Sequence, residues 1–144
     1  GAFSETWLEP MVKVLASLGS QSIWAVHGSD GLDEITTTGP TRVVALKDGK
    51  IESFSIAPED VGIARARPED LRGGEPAQNA RALQEVLGGA RNAFRDIAAF
   101  NAAAALVVAG KAATLGEGLA QAYAVLDNGK AKAALAALIA SSNA

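Results

Sequence analysis

Two carboxylates stand side by side at Asp33-Glu34, at the end of the stretch Val26-His27-Gly28-Ser29-Asp30-Gly31-Leu32-Asp33-Glu34. Consecutive side chains point to opposite faces of a strand and lie about 100° apart around a helix, so the pair converges on one ion only from irregular backbone. Gly28 and Gly31 make such backbone accessible. Magnesium takes one or two carboxylates, keeps several waters and completes its shell with substrate phosphate oxygens. Two acids on a loop are therefore enough for a magnesium-phosphate site. The same residues also suit a solvated acidic turn, because Asp and Gly are common turn formers.

The elements around the pair bear on that choice. Ile23 to Val26 form a short apolar run bounded by turn residues, the mark of a strand buried on both faces and so expected to be parallel. Ligands in open α/β sheets bind beyond the carboxyl ends of the strands, which is where the acidic loop falls. Leu8, Met11, Val12, Leu15 and Leu18 predict a helix beginning near Glu9 or Pro10, with Ser4 as a possible N-cap and Gly19 at its end. Thr41–Leu46 and Ile51–Ile56 flank Lys47-Asp48-Gly49-Lys50, a hairpin with a type I′ turn. Pro58-Glu59-Asp60 reads as one helical turn and Arg65–Gly74 as a loop. Helices are expected over 76–87, from about Ile97 to Ala109, from Thr114 to Asn128-Gly129 with a Thr114/Glu117 capping box, and over about 131–140. The fold class is α/β: an incomplete mixed sheet of one buried parallel strand plus a β-hairpin, with Ala-rich helices around it. A buried parallel strand needs partners on both sides, so the missing strands belong to chain outside this sequence or to a second copy.

With 144 residues the chain has the length of one domain. Charged residues make up 20% and the apolar set 49%, which suits a globular protein rather than a disordered tail. A net charge of -3 with no basic cluster argues against nucleic acid as partner. Cysteine is absent, which excludes disulfides and thiolate chemistry and suits a cytoplasmic location. No apolar run is long enough to span a membrane and no signal pattern opens the chain. The start Gly1-Ala2-Phe3, running at once into a patterned helix, has the look of a segment taken from a longer protein, a processed start or a tag scar.

Other polar residues offer less. His27 is the sole histidine, so a hydrolytic triad would depend on it, and Ser29 nearby lacks a nucleophile elbow. Arg65, Arg67, Arg72, Arg81, Arg91 and Arg95 each carry a fork suited to phosphate, but solvated faces and ion pairs account for such residues better. Arg72-Gly73-Gly74 resembles an anion nest before a helix, yet Glu75-Pro76 place a negative charge there and remove a donor. Asn101, within an apolar helix, reads as a hydrogen-bonded structural residue. No catalytic side chain is singled out.

Taken together, the acidic block, Thr38-Gly39-Pro40-Thr41, Pro58-Glu59-Asp60, Leu71-Arg72-Gly73-Gly74 and Asn101-Ala102-Ala103-Ala104 resemble the C-terminal part of the anthranilate phosphoribosyltransferase family over nearly the whole chain. Val61 and Glu75 depart from the family pattern, away from the acidic pair. The resemblance implies an enzyme of tryptophan biosynthesis that moves the phosphoribosyl group of phosphoribosyl pyrophosphate to anthranilate with inversion, magnesium dependence and no protein nucleophile. Asp33 and Glu34 match its metal-holding pair. It further implies that residues 1–144 are the C-terminal segment of the α/β domain. The helical domain, the diphosphate loop and the anthranilate site would then lie upstream, and the parent enzyme would be a homodimer. Two other readings remain: a pyrimidine nucleoside phosphorylase relative, and a non-catalytic helix-rich interaction module.

Overall fold

The computed structural model describes residues 1–143. A short 3-10 turn at Glu5–Trp7 leads into helix α1 (Leu8–Ser17), followed by strands β1 (Ser22–Gly28), β2 (Thr41–Lys47) and β3 (Lys50–Ile56). Helices α2 (Pro76–Leu87), α3 (Ala93–Val108), α4 (Leu115–Asp127) and α5 (Lys130–Ser142) complete the order. Pro10 falls in the first turn of α1, where its missing N–H has no intrahelical acceptor to lose.

The sheet runs β1-β2-β3, and both pairings are antiparallel. The α/β class holds, but the strand expected to be parallel is antiparallel to its one partner, with Gly28 opposite Thr41 and Ser22 opposite Lys47. An unbroken apolar run reports burial on two faces; it carries no information about strand direction. Ile23, Ala25, Val44 and Leu46 pack with Leu8 and Val12 of α1 on one face, while Val26, Val43 and Ala45 pack with Phe100, Ala103 and Leu119 on the other. The result is three layers, with α1 and the α3–α4 pair on opposite sides of the sheet. The hairpin is as expected: Asp48 and Gly49 take φ values of 50° and 74°, the left-handed pair of a type I′ turn.

Helix α3 begins at Ala93 rather than near Ile97, because Asn92 caps it by accepting the Arg95 N–H at 3.0 Å. Thr114 caps α4 by accepting the Glu117 N–H at 3.2 Å. Its capping partner departs from the simple box, since Glu117 accepts from the N–H of Ala113 rather than from that of Thr114. Helices α3 and α4 lie close enough that a Cβ on Gly118 would sit 2.7 Å from the Ala103 carbonyl oxygen. Their contact is reinforced by polar links at one end. Arg95, buried, pairs with Asp127 at 2.8 Å and stacks over the Tyr123 ring, whose hydroxyl donates to Asp96 at 2.6 Å. Burial and the Asp96 carboxylate push the Tyr123 hydroxyl well above its usual pKa.

Candidate functional site

The acidic pair sits on the connection between β1 and β2, residues 29–40. This loop has no regular ladder of its own, so its shape depends on side chains. Its neck is closed by the Ser29 N–H donating to the Pro40 carbonyl at 2.9 Å. Within the loop, Gly31 N–H donates to Gly28 O and Gly28 N–H donates to Leu32 O, closing a tight turn with Gly31 at φ +91°. Gly28 itself is the last residue of β1 and does not serve as a left-handed residue. Its requirement is space: a Cβ there would lie 2.6 Å from Asp30 Oδ1 and 3.1 Å from Thr36 Cγ2.

Asp30 is the internal organiser. Its Oδ2 accepts from the hydroxyls of Thr36 (2.6 Å) and Thr38 (2.7 Å), and its Oδ1 accepts from the Leu32 N–H at 3.2 Å. Burial pushes the Asp30 carboxyl up, but these donors together outweigh it and hold the group below the usual carboxylate range. Thr41 Oγ1 accepts the Thr36 N–H at 3.0 Å, which ties the loop to β2. Sequence reasoning missed Asp30 in this role. The run Thr36-Thr37-Thr38 was the available signal, because clustered hydroxyls next to an Asp commonly bond locally in place of regular backbone pairing.

Asp33 and Glu34 are exposed, directly before Ile35, which is buried in the core. Among the described residues neither carboxylate accepts a hydrogen bond or pairs with a cation. No cluster of three or more His, Asp or Glu residues that could hold a metal occurs among the described residues. Two free carboxylates on rigid irregular backbone still suit magnesium, whose remaining positions are filled by water and phosphate oxygens. Glu34 also borders a mostly apolar cavity of about 410 Å³ between α2 and α3, with Gly73, Asn79, Leu83, Val86 and Phe94 around it.

The other sequence candidates fall elsewhere. His27 Nδ1 donates to the Ala2 carbonyl at 2.9 Å, and Ala2 N–H donates to Val26 O, so the histidine holds the N-terminal segment beside β1. Arg65 pairs with Glu59 and Arg67 with Asp70, each through two donors. Arg95 is committed to α4. The Arg72-Gly73-Gly74 loop is held by Asn79, which accepts from Gly74 N–H and donates to Gly74 O, both at 2.8 Å. Asn101, on α3, does the same for the acidic loop.

Helices on both faces of a three-stranded sheet, with the acidic loop at the carboxyl end of β1, define an α/β domain. The Glycosyl transferase family, a/b domain, matches residues 1–132, and the chain belongs to that family. More narrowly, it is 60% identical over its whole length to the anthranilate phosphoribosyltransferase of Methylobacterium nodulans, of which it covers 43%. It is 53% identical over 99% of its length to that of Paramagnetospirillum magneticum, covering 41% of it. Among solved structures, the anthranilate phosphoribosyltransferase of Thermus thermophilus superposes with a TM-score of 0.87 at 38% identity, over 97% of this chain and 41% of that one. The Saccharomyces cerevisiae enzyme in complex with PRPP and Mg gives 0.84 at 25% identity, over 94% of this chain and 39% of that one. The chain thus spans less than half the length of the relatives it matches.

Proposed function

We propose that this chain is the C-terminal segment of the α/β domain of an anthranilate phosphoribosyltransferase. The helical domain and the first half of the sheet lie upstream of it. The whole protein transfers the phosphoribosyl group of phosphoribosyl pyrophosphate to anthranilate in tryptophan biosynthesis. It works as a magnesium-dependent cytoplasmic homodimer. The observation that carries this reading is the pair of unpartnered carboxylates, Asp33 and Glu34, on a loop whose third carboxylate, Asp30, is taken up by Thr36, Thr38 and the Leu32 N–H. Such oxygens suit a hard cation held against a diphosphate.

In that reaction the anthranilate nitrogen forms a bond to the anomeric carbon as the bond from that carbon to the diphosphate oxygen breaks, and the amine proton is lost. Asp33 and Glu34 would hold a magnesium ion, which when bound would supply charge neutralisation for the departing diphosphate. Through that cation Asp33 and Glu34 would orient the diphosphate end of the substrate, and the Asp30 and Asn101 bonds keep the loop in place before it arrives. The remaining groups for the acceptor and the diphosphate belong to the upstream part.

The incomplete sheet supports this division. Strand β1 carries apolar side chains on both faces, and among the described residues its edge away from β2 pairs with no strand. Its backbone there meets Ala2 at Val26 and the loop's own turn at Gly28, which suits a strand flanked by further chain. Purified alone, the 144-residue chain should therefore turn over no anthranilate. Measurable phosphoribosylation of anthranilate by this chain would overturn the division of the site.

A further inference from the structure

Asn101 spends its whole side-chain amide on the acidic loop and its own helix. Its Oδ1 accepts the Ile35 N–H at 2.9 Å, and its Nδ2 donates to Ile35 O at 2.8 Å and to Ile97 O at 3.0 Å. The first two bonds grip both peptide groups of the residue that directly follows Glu34. The third fixes the amide to the backbone of α3, so the grip has no freedom to swing. Ile35 itself is 2% exposed and packs in the same core as Ala99, Phe100 and Ala103 of α3. Glu34 is thus anchored on one side by the α3 core, while Asp30 shapes the loop on the other.

We infer that Asn101 is a positioning residue for the metal-diphosphate site, acting through Ile35 to hold Glu34 and Asp33 where a divalent cation and a diphosphate meet them. The inference rests on the reading of Asp33 and Glu34 given above. A loop without a backbone ladder loses its shape when its side-chain clamp is removed, and a displacement of about 1 Å at a reacting centre costs on the order of 100-fold in rate. Asn101→Asp keeps the shape of the side chain but replaces both Nδ2 donors with an oxygen facing the Ile35 and Ile97 carbonyls. That reverses two of the three bonds while leaving the apolar packing alone.

The test uses the full-length enzyme and manganese(II) with inorganic diphosphate, followed by electron paramagnetic resonance, alongside hydrogen exchange at the Ile35 amide. In the ligand-free parent protein the Ile35 amide should already be protected; rapid exchange there would overturn the inference without any variant. Asn101→Asp should raise the dissociation constant for manganese about tenfold or more and speed Ile35 exchange. The KM for anthranilate should stay within about twofold, a split that a general loss of stability would not give. If Asn101→Asp does not fold, Asn101→Ser is measured against the same outcomes. Manganese affinity at the parent level in either folded variant overturns the role of Asn101. The double variant Asp33→Asn, Glu34→Gln separates the two layers: if it too binds manganese normally, the metal assignment itself falls.

Discussion

Two loops of this molecule are built alike and spend their charge differently. Residues 29–40 and 64–75 both carry glycines and several charged side chains, and both are clamped by an asparagine on a helix. Asn101 holds Ile35 and Asn79 holds Gly74 through the same pair of bonds, one accepted from N–H and one donated to C=O. In the second loop Arg65 is engaged by Glu59 and Arg67 by Asp70, while Glu69, Arg72 and Glu75 stay exposed without a side-chain partner among the described residues. In the first, Asp30 is consumed and the two acids after it are left free. The difference is one of sign: the charge left over in the first loop is an adjacent pair of acids, which suits a cation, whereas that left over in the second, Glu69, Arg72 and Glu75, is mixed.

The sharpest way to break this comparison is to remove the free charges. In the full-length enzyme, Asp33→Asn with Glu34→Gln should lower the transferase rate by about 100-fold or more, since charge stabilisation by a metal is worth several kcal/mol. An unchanged rate and an unchanged magnesium requirement would show that the free acids are no more than a solvated turn. Next in size is Asp30→Ala. It strands the Thr36 and Thr38 hydroxyls and the Leu32 N–H, and should cost about 1–3 kcal/mol in stability measured by chemical denaturation.

A smaller effect belongs to pH. The folded Asp30 carboxyl lies below its unfolded value, so the unfolded state binds the proton more readily. The resulting stabilisation is present above the unfolded value, near that of an ordinary aspartate, and is lost as pH falls through the folded one. Asp30→Asn should flatten that part of the acid-denaturation curve; an identical curve would show that the carboxylate is not stabilised by its donors. Asn79→Ala follows, at roughly 0.5–1.5 kcal/mol for two exposed hydrogen bonds, with little change in magnesium requirement. The smallest effect is expected from Arg67→Ala, under about 1 kcal/mol for an exposed pair. A strong loss of magnesium-dependent activity in either of these last two would erase the distinction between the loops.

Much of the scaffold around these loops was legible from residue order. Pro76 and Gly88 bracket α2, the Asp48-Gly49 turn marks the hairpin, and the Ser29–Pro40 connection lies where the glycines indicate it. Asp33 and Glu34 stood out as adjacent acids after Gly31, a pattern that a solvated turn shares. Strand direction was not legible, because Ile23–Val26 would read the same in either orientation once α1 and α3 cover both faces. The early start of α3 was hidden as well. Its first turn carries Arg95 and Asp96, and a buried arginine looks like a surface residue until Asp127 and Tyr123 are placed beside it. The organising role of Asp30 depends on Thr36 and Thr38 folding back onto it, a contact no periodicity encodes.

The close approach at Gly118 bears on how this protein tolerates change. Because main chain meets main chain there, with no side chain as spacer, the separation of α3 and α4 does not depend on which aliphatic residues fill the neighbouring positions. Exposed alanines of α3 such as Ala102 and Ala105 can therefore change without shifting the rail on which Asn101 is mounted, whereas the buried Ala99, Ala103 and Ala104 cannot grow. Gly118 itself cannot, since even a methyl group would collide with the Ala103 backbone. A helix pair of this kind acts as a mechanical datum, fixing through Asn101 where the loop it carries must lie.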